Sequence, residues 1–323
     1  MNDENKSKET NLIQSVNGVL QNVGNSVGSA IQAAGGTVTS VAGKAGELID
    51  QGKNTLIGAV DANGNGEIDL EDFIIHGMRI PGFSVNRENF LRTEFKTKYD
   101  QETIDAAVAS TPSKAGIPKD EIDKIADQVI AYERNCVSGI STALGMPGGL
   151  AMAATIPADI AQYYGFMLRA AQKLMYLYGF PQIDTTEKDH VFDSETINIL
   201  TLCLGVMYGA AGANNALKAI ANALATGVER QLMKKALTKG TIYPIVKSIG
   251  KWFGQKITKQ AFAGFFKKAI PVVGGVIGGT VTFLSFKPCC DKLKESLRHT
   301  VLSDPDEKTD DSALIIDDSS TIE

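Results

Sequence analysis

A chain of 323 residues, 43% hydrophobic and 21% charged, is long enough to bury one large core or two moderate ones. Its mean hydropathy of -0.04 is too low for a polytopic membrane protein, and its four cysteines lack the C-x-x-C spacing of a zinc site or a disulfide framework. Few alternating β-branched runs, 10 prolines and many apolar positions spaced three and four apart predict an all-α fold.

Residues 1–44 read as a polar start and an uncharged amphipathic helix. The opening M-N-D-E-N-K-S-K-E-T is neither a secretory signal nor a transit peptide, so the expected location is cytoplasmic, peripheral on the cytosolic face of a membrane. Leu12, Val16, Val19, Leu20, Val23, Val27 and Ile31 recur at helical spacing opposite Asn, Gln, Ser and Gly. An apolar face backed by uncharged polar residues suits contact with the acyl boundary of a bilayer, through Val16, Leu20 and Val23 above all; a core or dimer-facing helix has the same pattern.

Residues 45–82 read as an EF-hand. D-A-N-G-N-G-E-I-D-L-E-D, from Asp61 to Asp72, places Asp61, Asn63 and Asn65 at loop positions one, three and five, the Glu67 carbonyl at seven and Asp69 at nine. Gly66 stands at position six, where a left-handed turn opposes a Cβ. Asp72 closes the loop where Glu is usual, so calcium binding is expected to be weakened, or magnesium favoured. The loop resembles the Asp-closed EF-hands, dockerins among them, but no second loop accompanies it. Ile68 then lacks a partner loop, which points to a homodimer or to packing on the chain's own core.

Residues 83–124 form a connecting helical region, 125–300 a helical domain and 301–323 an acidic tail. From Lys218 to Lys268 eleven Lys and Arg face one acid, Glu229. Here Lys251, Lys256, Lys259, Lys267 and Lys268 alternate with Trp252, Phe253, Phe265 and Phe266, as suits an anionic membrane surface. Nucleic acid is not expected, because no recognised motif is present and the rest of the chain is acidic. Ala269 to Phe286 is an uncharged run of 18 residues with two G-x-x-x-G registers, a candidate for insertion or for close packing of buried helices.

A-L-G-M-P-G-G-L-A-M-A-A-T-I-P-A-D-I from Ala143 to Ile160, Arg169, Y-G-F from Tyr178 to Phe180 and I-P-V-V-G-G-V-I-G-G from Ile270 resemble the bacterial EcsC family. The resemblance covers roughly residues 125 to 300. It implies a helical domain and no particular reaction, and it does not extend to the calcium loop. Within that domain Asp159 and Arg169 could face one groove, or Asp159, following Pro157, could cap a helix start.

No H-E-x-x-H, Walker loop or dinucleotide fingerprint occurs, and G-N-S-V-G at Gly24 sits in a helical pattern rather than after a strand. Two classes follow: a non-catalytic, calcium-binding protein of membrane surfaces, or an enzyme acting on a lipid or other membrane substrate through a polar groove holding Asp159 and Arg169.

Overall fold

The computed structural model describes residues 61–66, 69–80, 82–144, 151–186, 192–228, 230–253 and 274–304, without the side chains of 140–144, 151–161, 230–232 and 274–282. Among the described residues there is no strand, and the fold is all-α. The chain divides into two compact units, the first Met1–Phe83, Val137–Gly165 and Phe253–Thr282, the second Ser84–Cys136, Phe166–Trp252 and Phe283–Glu323. Residues 125–300 are thus shared between the two. The amphipathic helix with Val16, Leu20 and Val23, the helix expected to enter the calcium loop and the tail after residue 304 lie outside the described residues.

In the first unit the loop runs into helix α1 (Leu70–Arg79). Asp69 caps it: Oδ1 accepts from the amides of Glu71 and Asp72, and Asp72 reaches back to the Asp69 amide, so two free donors of the helix start are satisfied reciprocally. Leu70, Phe73, Ile74, Ile75 and Met78 are at most 5% exposed, one continuous stripe of a 3.6-residue period. The helix stops at Ile80, whose extended ψ of 124° is what a following proline imposes. Phe73 lies 5.8 Å from the Tyr164 ring, and Tyr164 lies 6.3 Å, edge-on, from Phe253.

The second unit begins with α2 (Arg87–Phe95) and α3 (Gln101–Ala109). Arg87 is 8% exposed and serves as a C-cap in trans: its guanidinium donates to the carbonyls of Ala107, Val108 and Ser110 at the end of α3 and to that of Phe180. Helix α4 (Lys119–Leu144) contributes Ile122, Ile125, Ala126, Val129 and Ile130, again at three-and-four spacing. Helix α5 (Ala151–Leu177) has Phe166 to Leu168, Ala170, Ala171 and Leu174 to Leu177 all at 0% exposure; an element apolar on nearly every side is a central one. It ends at the Y-G-F motif. Gly179 takes φ +93°, and Phe180 donates to the Met175 carbonyl at 2.9 Å, so this family-like signature is a helix stop that needs glycine.

Helices α6 (Ser194–Tyr208), α7 (Ala213–Ala225) and α8 (Arg230–Thr238) follow, with α6 packed on both of the others. A helical segment over 243–253 comes next, and α9 (Gly274–Arg298) buries Phe286, Cys290, Leu293 and Leu297 at 0% exposure.

Candidate functional site

The turn from Asp61 to Gly66 is built by one carboxylate. Asp61 Oδ1 accepts from the amides of Gly64 at 2.7 Å and Asn65 at 3.1 Å, and Oδ2 accepts from Gly66 at 2.8 Å. Asn63 Oδ1 accepts from the Asn65 amide at 3.0 Å, and the Asn65 side chain donates to Asp69 Oδ2 at 3.1 Å. Gly66 takes φ +82° as the motif requires, with no heavy atom within 4 Å of where a Cβ would stand; backbone conformation alone calls for glycine.

Asp72 is fully buried and closes the ring. One of its oxygens accepts from Ala62 at 2.8 Å and Asn63 at 3.4 Å, the other from Asp69 at 2.8 Å. Burial pushes its carboxyl above the usual range, and the three amide bonds pull the other way. Glu71 is raised too, by burial first and then by the charges of Asp69 and Asp72. Backbone amides and the Asn65 side chain meet the loop's carboxylates, and no described Lys or Arg pairs with Asp61, Asp69, Glu71 or Asp72. Asp61, Asp69 and Asp72 each have one oxygen, Oδ2, that accepts a single bond among the described residues, and the donor set is all oxygen, the chemistry of a hard divalent cation. Among the described residues no three His, Cys, Asp or Glu side chains already form a metal-holding group. The motif also draws on asparagine oxygens and on the Glu67 carbonyl, which lies outside the described residues.

Arg169 is buried in an ion cluster. It is 7% exposed, and its Nε lies 3.1 Å from Oε1 of Glu133, a carboxylate with no exposure at all; Lys173 Nζ approaches the same oxygen at 2.6 Å. Arg169 and Lys173 are one turn apart on α5, so both reach the single acid on α4. The Tyr132 ring flanks both cations, at 5.9 Å from Arg169 and 5.4 Å from Lys173. Glu133 Oε2 is buried without a hydrogen-bond partner. Asp159 lies inside α5, which begins at Ala151, ahead of Pro157; the expectation that it caps a helix start is corrected, because the helix is already under way when the chain reaches it. Its side chain is outside those described. Sequence reasoning missed Glu133 and Lys173. The signal was there, an acid on the apolar stripe of α4 and a second base four residues after Arg169.

The basic region divides by face. Over 243–253, Val246, Ile249 and Phe253 are buried, whereas Lys247, Lys251 and Trp252 are exposed, Trp252 by 38%. Phe253 is therefore corrected from a membrane-facing to a core residue: at 1% exposure, beside Tyr164, it has no surface to offer. Lys256, Lys259, Phe265, Phe266, Lys267 and Lys268 lie outside the described residues.

Compared with protein-family models, with curated proteins and with solved structures, the chain matches none. The likeness to EcsC proteins thus rests on the sequence segments that carry it.

A cleft lined by Met175, Ile199, Ile220 and Leu237, with Asp184 and Asp193 at its rim, holds about 40 Å³, room for a water molecule or two rather than a substrate. The four cysteines are free, and burial pushes the Cys203 thiol up to about 12, away from any nucleophilic role. Among the described residues no helix is long and apolar enough to cross a membrane.

Proposed function

We propose that the chain binds calcium in the loop from Asp61 to Asp72 and works, without catalysing a reaction, as an EcsC-like helical protein on an anionic membrane surface. The observation that carries the ion reading is the folded turn itself, in which the carboxylates of Asp61, Asp69 and Asp72 are bonded by backbone amides and, among the described residues, by no Lys or Arg. Asp61, Asn63, Asn65, the Glu67 carbonyl, Asp69 and Asp72 would hold the ion. The short Asp72, already engaged by three amides, favours modest affinity and leaves magnesium as a competitor.

The surface reading is supported by Lys247, Lys251 and Trp252, which stand exposed on a helical segment whose opposite face is buried. Each such lysine contributes on the order of 1 kcal/mol at an anionic bilayer, and an indole suits headgroup depth. Co-sedimentation of the full chain with phosphatidylglycerol-containing and neutral vesicles, with and without calcium, tests both parts. Wild type is expected to pellet with the anionic vesicles and to release with salt. Calorimetry is expected to show calcium heat that Asp61→Ala abolishes. No heat at millimolar calcium would overturn the ion reading, and equal recovery in every supernatant would overturn the surface reading.

A further inference from the structure

The most exposed large apolar side chain among the described residues is Leu284, at 66%, and its neighbour Phe283 is exposed by 40%. They are adjacent on α9, where Phe286 and Cys290 face the core and Phe283, Leu284 and Lys287 face outward. A leucine and a phenylalanine side by side in water on a helix with an otherwise well-buried apolar stripe are a surface feature, not a core that failed to close. Pro288 stands four residues beyond Leu284, so the Leu284 carbonyl loses its usual helical donor at the same spot.

Over the outer side of this pair lies a cation. The Arg134 guanidinium sits 4.0 Å from the Phe283 ring centroid, its Nη2 donates to the Asn135 side chain at 3.3 Å, and no carboxylate among the described residues pairs with it. Its Nε is buried without a hydrogen-bond partner. Lys287, by contrast, is matched by Asp291, with both oxygens at 2.7 Å. The patch therefore carries one positive charge that no described acid neutralises, over Phe283, which adjoins Leu284 in the chain.

We propose that Leu284, Phe283 and Arg134 form an anchor by which this chain enters the interface of an anionic bilayer, Leu284 and Phe283 reaching the acyl boundary and Arg134 meeting a lipid phosphate. The proposal rests on the membrane-surface reading above and names a contact within it. Size argues for lipid rather than protein: the two side chains expose on the order of 200 Å², about a quarter of the ~800 Å² that each side of a stable protein interface buries. An interfacial anchor needs only a few apolar side chains and a neighbouring base. Charge agrees, since phosphate is a bidentate match for a guanidinium and no acid borders the stretch from Ala269 to Phe286.

The test uses the full chain and vesicles of phosphatidylcholine with or without phosphatidylglycerol. Phe283→Ser with Leu284→Ser is expected to lower partition onto anionic vesicles about tenfold while leaving the melting temperature unchanged, because both residues are exposed. Arg134→Gln is expected to lower it about fivefold on anionic vesicles and not at all on neutral ones. Trp252→Phe combined with Phe283→Trp leaves one indole, whose emission is expected to be quenched by brominated lipid. That reporter keeps the proposal falsifiable should the double serine variant fail to fold. Wild-type binding with an unquenched indole, or with undiminished binding of the serine variant, overturns the anchor while the surface reading stands. Failure of wild type to bind any vesicle overturns both. A lipid-free dimer that the serine substitutions dissociate makes the patch a protein contact and overturns the anchor.

Discussion

Glu133 and the loop carboxylates pose the same electrostatic problem and solve it in opposite ways. Glu133 is withdrawn from water entirely, and two cations from α5 meet one of its oxygens. The described acids of the loop from Asp61 to Asp72 are met by peptide N–H groups and by the Asn63 and Asn65 side chains, and burial together with mutual repulsion holds Glu71 and Asp72 above the usual carboxylate range. In the first arrangement two cations of the chain itself meet the acid. In the second no described cation does, and that difference is why the loop, and not the buried cluster, is proposed as the ion site.

The comparison is most sharply broken by removing Glu133. Glu133→Ala leaves Arg169 and Lys173 with an uncompensated buried charge and is expected to cost about 3–5 kcal/mol in urea unfolding, with or without calcium. Replacing Glu133, Arg169 and Lys173 together by Leu, Met and Met is expected to recover most of that loss, because apolar residues of similar volume need no partner. If the single variant is as stable as wild type, Glu133 does not balance the two buried cations.

Calcium provides the next largest effect. At free ion a hundredfold above its dissociation constant, binding to the folded form alone adds about 2.7 kcal/mol. The melting temperature is expected to rise accordingly, to fall back with chelator, and to stay put in Asp61→Ala. Glu133→Ala is expected to shift with calcium as wild type does, since it does not touch the loop.

The pH dependence sharpens the contrast. Because their carboxyls are raised, Glu71 and Asp72 hold protons in the folded loop that the unfolded chain releases. Without calcium, their contribution favours folding at acid pH and is lost as pH rises through the raised values. Calcium requires the ionised carboxylates, so its affinity is expected to fall as pH drops through the same window. A calorimetric affinity that stays flat as pH is lowered from neutral through the carboxylate range would remove Asp72 from the site.

The smallest effect is Gly66→Ala, expected to cost about 1 kcal/mol through backbone strain alone, since the space for a Cβ is open. Circular dichroism melts with and without calcium check whether the strain appears in both states.

Much of the all-α fold was legible. The stripe of α1 follows from spacing along one helix, a property of the sequence itself; so do the capping pair of Asp69 and Asp72 and the stripe of α4, neither of which the sequence reading picked out. The turn residues of the loop were legible for a similar reason: Asp61 bonds amides three to five residues on, too near in the chain to depend on distant packing. Phe253 was misread because Lys251 and Trp252 share its neighbourhood in sequence, although a rotation of about 100° per residue sends it to the opposite face. Arg169 was noticed without its partner, because Glu133 lies on another helix, 36 residues away in the chain.

What the sequence determined by itself was therefore local. It set the helical periods, the glycine at position six of the loop, the stop at Tyr178 to Phe180 and the absence of familiar catalytic signatures. Only the tertiary structure decided which charges meet. It joined Glu133 to bases on α5 that lie 36 and 40 residues away in the chain, set Arg87 to cap a helix twenty residues on, and left Arg134 over an exposed ring with no described acid paired to it. The physical reason is range: hydrogen bonding within a turn and apolar periodicity act between near neighbours, whereas burial and ion pairing depend on which surfaces the folded chain brings together.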